Sequence, residues 1–187
     1  DAKHMHPRQM VIIPNAAVDQ NCGNNARTLG RPSQSIPQIL FVGMFCKEKG
    51  VLDLVSACRK LDSLNISYRV AFAGAPQSQE FAMEAERRAQ SLQGEVSFLG
   101  EVTGEAKWRL YRQADIFCFP THYSAEGFPV VLLEAMMFEL PVVSTKWRGI
   151  PEIVDEGETG LLVAPGDIED LAAGLKKLLE NPGLRLS

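Results

Sequence analysis

Short runs of consecutive apolar residues recur along the chain, and the stretches between them repeat apolar positions at helical spacing. Residues 39–43 (ILFVG), 68–74 (YRVAFAG), 96–100 (VSFLG), 115–120 (DIFCFP), 141–144 and 160–164 (GLLVA) read as strands. Residues 50–61 place Val51, Leu54, Val55 and Cys58 on one helical face. Residues 77–92, 104–113, 129–138 and 167–180 read as further helices, the last with Asp167 as its N-cap, and 150–154 as a short one begun by Pro151. A short strand is expected at 11–13, followed by a loop over about 19–38 that is rich in Asn, Gly, Pro and Ser.

Apolar strands alternating with helices predict an α/β fold: a doubly wound parallel sheet, Rossmann-like, covered on both faces. Such sheets bind ligands beyond the carboxyl ends of their strands. The segments that matter are therefore 44–50, 75–79, 100–103, 121–130, 145–149 and 165–167.

Composition narrows the field without naming a chemistry. The 187 residues are 45% hydrophobic and 22% charged, values of a globular domain. The net charge of −4 argues against a nucleic-acid partner, which needs a concentrated basic footprint. No apolar run approaches the ~20 residues of a membrane-spanning helix. Cys22, Cys46, Cys58 and Cys118 lack zinc or redox spacing and read as reduced thiols of a cytoplasmic protein. Residues 1–10, with His4 and His6, are set aside as a tail, and 11–187 as the domain.

The richest segment is THYSAEGFPVVLLEA, residues 121–135. Glu126 lies in a loop at a strand's carboxyl end, and Glu134 follows after seven intervening residues, inside an apolar helix. A Glu134 facing solvent fits poorly with its neighbours Val130, Val131, Leu132, Leu133, Ala135, Met136 and Met137. Between the two carboxylates, Gly127 admits close approach, Pro129 presets the first turn, and the N–H groups of Val130 and Val131 can hold an anion. Were all eight steps helical, the carboxylates would stand about 12 Å apart along the axis. That exceeds the roughly 5–9.5 Å of an acid/base pair across one glycosidic bond. It suits the two ends of one long ligand, such as a nucleotide diphosphate sugar, whose hydroxyls donate well to carboxylates. His122, in the same loop, reads as a histidine without a catalytic role.

EGFPVVLLE resembles the E-x7-E motif of the family 4 glycosyltransferases, which have the GT-B fold. FVGMFCKEKG, ADIFCFPTHYSAEGFP, GIPEIVDEGETGLLVAPGD and VIIPNAAVD resemble further motifs of that family in the family's order. The resemblance covers nearly all of residues 10–182. It implies the C-terminal, donor-binding half of a retaining enzyme that transfers a sugar from a nucleotide diphosphate sugar. By that likeness Glu126 and Lys49 are catalytic: Glu126 binds sugar hydroxyls and Lys49 pairs with the diphosphate. Glu134 binds the ribose hydroxyls, and the backbone of Gly127, Phe128 and Val130 meets the sugar and diphosphate. Gly43, Gly74 and Leu99, the last in the 98–100 loop that faces the base, complete the donor-binding set. A plain strand-end turn explains Gly74 equally well.

Three positions depart from the family pattern. Met44 replaces the usual arginine, the second diphosphate cation, and Lys47, Lys146 and Arg148 are the nearby substitutes. Arg148 stands where glycine is common, and Ala75-Pro76 replaces a glycine-rich turn. The likeness implies no cofactor and no metal, and a partner domain for the acceptor that is expected outside this chain, where any peripheral membrane contact would also lie. The rival readings are a non-catalytic module that binds a nucleotide sugar or a partner protein, and a GT-B-fold nucleotide-sugar epimerase.

Overall fold

The computed structural model describes residues 35–185. The expected strand at 11–13, nearly all of the 19–38 loop, Cys22, His4 and His6 lie outside them. Six strands, β1 (Gln38–Val42), β2 (Arg69–Ala73), β3 (Glu95–Phe98), β4 (Ile116–Phe119), β5 (Val142–Thr145) and β6 (Gly160–Val163), alternate with helices. The helices are α1 (Val51–Ser63), α2 (Gln79–Ala89), α3 (Gly104–Gln113), α4 (Val130–Met137) and α5 (Ile168–Glu180). Apart from residues 150–154, each expected strand and helix of the described residues is present. The sequence placed the loop's end at residue 38, but Gln38 already opens β1 and pairs with Arg69. Residues 150–154 make only a single 3-10 turn, Ile150–Glu152.

All strand pairs are parallel, in the order β3-β2-β1-β4-β5-β6. From the central pair β1 and β4 the chain builds outward on opposite sides, through β2 and β3 on one and through β5 and β6 on the other. The connections after β1 and after β4 diverge there and open a crevice at the carboxyl ends. β1 and β4 are buried almost throughout because helices cover both faces. α1, α2 and α5 pack together as one layer. α3 and α4 form the other, joined where the Tyr111 ring stacks on Phe138 at 5.5 Å.

Phe41, Phe72, Phe117 and Phe119 form the aromatic centre of the sheet core. Each such side chain contributes roughly 1.5–3 kcal/mol by leaving water, which is how four- and five-residue strands hold their register.

Candidate functional site at the strand crossover

The crevice between β1 and β4 is built by two loops tied together at the backbone. After β1, Phe45 forms a bridge with Pro76, its N–H donating to Ala75 O at 2.8 Å. Residues Lys47–Lys49 then form a 3-10 turn, closed by Gly50 at φ 77°. A Cβ on Gly50 would stand 2.2 Å from the Pro120 carbonyl oxygen, so this residue must be glycine for sterics as well as for φ. From the β4 side, the His122 N–H donates to Glu48 O at 2.7 Å, and Thr121 Oγ1 to the same oxygen at 3.3 Å.

That lock brings Lys49 to Glu126. The Lys49 ammonium donates to Glu126 Oε2, and Thr121 Oγ1 lies 3.3 Å from that oxygen, its one proton shared between it and Glu48 O. Lys49 also sits 4.7 Å from the Tyr123 ring centroid and 5.4 Å from that of Phe119. A charge this enclosed needs such partners, because desolvation without them is costly. The sequence expected Lys49 just ahead of the helix at 50–61. It ends a separate turn before α1, and its side chain is only 14% exposed.

Glu134 is also buried, in the middle of an eight-residue apolar helix. Lys107 Nζ donates to its Oε1 at 2.6 Å, and the Tyr111 hydroxyl to its Oε2 at 2.8 Å. Burial and the nearby Glu134 carboxylate push the Tyr111 phenol well up, so it remains a donor. Helix α4 begins at Val130, with Pro129 as N-cap rather than as a helical residue, and no side chain caps it. Glu126 thus lies in the loop ahead of the helix, and the two carboxylates do not share one axis.

The remaining expected residues divide. Gly127 is exposed, with nothing within 4 Å of where its Cβ would lie, and Phe128 and Val130 are half-buried beside it. Leu99 is 41% exposed in the loop after β3. Gly43 and Gly74 face each other: a Cβ on Gly74 would come 1.8 Å from Gly43 O. Gly74, at φ 150°, must therefore be glycine where the two segments cross, whereas a Cβ on Gly43 would meet the Phe119 ring at 3.2 Å.

Other residues went unassigned in the sequence reading. Thr121, Tyr123, Tyr111 and Lys107 complete the two carboxylate sites. Trp147 Nε1 donates to Tyr123 O at 2.9 Å and holds the β5 loop against the β4 loop. Lys107 and Tyr111 are four positions apart on α3, a spacing that puts both on one face. Asp53 Oδ2 and His122 Nδ1 are buried without hydrogen-bond partners, 3.8 Å apart and too far to bond each other. Burial pushes the Asp53 carboxyl up, while His122 and Lys47 pull it down.

Comparison with known proteins bears on the family and the fold. The family model "Glycosyl transferases group 1" matches residues 30–187. The chain is 31% identical over 152 residues to a glycogen synthase of Mycobacterium tuberculosis, covering 81% of this chain and 36% of that protein. Among solved structures, the C-terminal domain of a group 1 glycosyl transferase from Francisella tularensis, LpcC, superposes with a TM-score of 0.70. It is 28% identical, over 81% of this chain and 80% of that one. Anabaena HepE, solved with UDP and glucose, shares the fold at a TM-score of 0.70 and 23% identity, over 81% of this chain and 40% of that one. The chain spans about a third of the length of the curated M. tuberculosis relative.

Proposed function

Because this chain belongs to the group 1 glycosyl transferases, we propose that it is the donor-binding domain of a retaining enzyme that moves a sugar from a nucleotide diphosphate sugar to an acceptor. The observation that carries this reading is the pair of buried, cation-paired carboxylates, Glu126 and Glu134, flanking the uncapped start of α4. An uncapped helix start with a lysine nearby is a site for phosphate. Carboxylates on either side suit the hydroxyl-rich ends of a donor. HepE, of the same fold, was solved with UDP and glucose, the components of such a donor.

Glu126 takes sugar hydroxyls and Glu134 the ribose. The N–H groups at the start of α4 and the ammonium of Lys49 take the diphosphate. Lysine has three donors, so Lys49 can hold Glu126 and a phosphate oxygen together. As the glycosyl bond breaks, the diphosphate gains charge, and Lys49 with the helix start stabilises it. Gly127, Phe128 and Val130 line the path between the two ends, and Leu99 flanks the base. We assign the diphosphate's counter-charge to these groups and invoke no metal. Cys46, Cys58 and Cys118 are free and buried, which accords with a reducing cytoplasm.

The test is calorimetry of the chain with a nucleoside diphosphate and with its sugar-bearing form. Glu134→Ala is expected to weaken both by roughly 1.5–3 kcal/mol, and Glu126→Ala only the sugar-bearing ligand. Equal losses for both variants on both ligands refute the assignment of ends.

A further inference from the structure

We propose that Tyr111 and Lys107 are positioning residues that fix the Glu134 carboxylate for a vicinal diol, so that the site selects ribonucleotides over 2′-deoxyribonucleotides. The inference rests on the assignment of Glu134 to the ribose.

An ionised carboxylate offers about four acceptor sites on its two oxygens. In Glu134 each oxygen already accepts one bond: Oε1 from Lys107 and Oε2 from Tyr111. Each oxygen therefore keeps one acceptor direction, and the two are held in a fixed relation. Two neighbouring ribose hydroxyls fit that pair. A 2′-deoxyribose supplies only one of them and leaves the second acceptor without its partner, a loss that a mobile carboxylate could soften by turning.

The clamp is rigid at both ends. Glu134 is 7% exposed. Tyr111 is fully buried, with its ring 5.5 Å from Phe138, 5.6 Å from Phe117 and 6.1 Å from Trp108. The phenol cannot swing away, and burial keeps it protonated. Lys107 enters from the rim, with a side chain 21% exposed and its ammonium 5.2 Å from the Trp108 ring. It supplies the counter-charge that a buried carboxylate requires. Neither residue needs to touch the nucleotide: both act through Glu134.

A purely structural clamp would affect stability and overall affinity but not the choice of sugar, and this separates the two roles. UDP, GDP and their 2′-deoxy forms are titrated against the wild-type chain, Tyr111→Phe and Lys107→Met, with thermal unfolding measured in parallel. For whichever base binds, the wild type is expected to prefer the ribose form by about tenfold, the worth of one good hydrogen bond. Tyr111→Phe keeps the ring and removes only the hydroxyl, and is expected to bring the preference down to about threefold or less. Lys107→Met keeps the stem at a partly exposed position, and is expected to act in the same direction even if Tyr111→Phe unfolds. If both variants lose affinity for ribose and deoxyribose forms by one common factor, or lose none, the positioning role is refuted while the donor site stands. If the wild type binds neither nucleotide, or binds ribose and deoxyribose forms alike, the ribose assignment of Glu134 fails and the inference with it.

Discussion

Lys49 and Glu126, 77 positions apart in the sequence, are joined by a direct bond between ammonium and carboxylate at the point where the sheet order reverses. One residue follows β1 and the other follows β4, and the crossover at β1 brings them together. Both side chains are nearly buried, 14% and 10% exposed. The pair therefore has a structural role, mutual neutralisation, alongside the proposed role at the diphosphate and sugar. A single substitution mixes the two.

A double-mutant cycle separates them. Lys49→Met strands the Glu126 carboxylate and is expected to cost on the order of 3 kcal/mol. Lys49→Met with Glu126→Gln removes both charges and is expected to recover part of that loss. Binding of a nucleoside diphosphate is expected to stay lost in both. Denaturant unfolding combined with calorimetry reads the two quantities. Recovery of binding along with stability would show that Lys49 acts only as the partner of Glu126.

The unpartnered pair Asp53 and His122 predicts a pH-dependent gain. Burial raises the Asp53 carboxyl, so the folded chain holds this proton more tightly than the unfolded chain. Stability from the group is present at low pH and is lost as pH rises from about 3.9, the ordinary aspartate value, through the raised one. Asp53→Asn removes that loss, and its amide can donate to His122 Nδ1, which has no hydrogen-bond partner. The variant is expected to gain about 1 kcal/mol at pH 7. At pH 3, where the wild-type aspartic acid is as uncharged as the asparagine that replaces it, the variant should gain much less. An equal difference at the two pH values, or a loss at pH 7, rejects this account.

How far the sequence led can be judged at particular residues. Apolar periodicity located the strands and helices of the described residues, and α3 to its ends, because parallel strands buried on both faces leave an unbroken apolar signature. The burial of Glu134 was legible too, since a carboxylate among valines, leucines and methionines has little water to face. Tyr111 and Lys107 were not legible: in α3 they look like ordinary members of a polar helix, and only packing against α4 gives them a shared partner. The ammonium of Lys49 was assigned a ligand, but its bond to Glu126 depends on strand order, which periodicity does not encode. Gly74 showed that glycine was needed without showing why.

Arg148 adopts φ 47°, a left-handed conformation that costs a residue with a Cβ about 1–2 kcal/mol. Its side chain is exposed and stands 5.7 Å from the Trp147 ring. Arg148→Gly relieves the strain and is expected to stabilise the chain by about 1 kcal/mol, or roughly 2–4 °C in Tm for a chain of this size. A fall in Tm would mean that the contact with Trp147 outweighs the backbone strain.

Met44 is the position where the proposed diphosphate site is short of a cation. It is 40% exposed, next to Phe45, whose backbone is fixed by the bridge to Pro76. Met44→Arg therefore disturbs little of the core, and its effect on stability is expected to stay within about 0.5 kcal/mol. A guanidinium can bind phosphate through two parallel bonds, so affinity for a nucleoside diphosphate should rise by about tenfold. The other cations nearby have partners of their own: Lys146 lies 3.7 Å from Glu156, and Lys47 lies in the field of Asp53. Binding should therefore rest on Lys49, with Lys49→Ala nearly abolishing it and Lys49→Arg keeping part. Arginine spreads its charge over a planar fork, so that exchange is not neutral. If instead Lys47 or Arg148 already serves the diphosphate, Met44→Arg gives no gain, and Lys47→Ala or Arg148→Ala weakens binding. Titration of these five variants decides between the two arrangements. If all five bind with wild-type affinity, the diphosphate does not lie between β1 and α4.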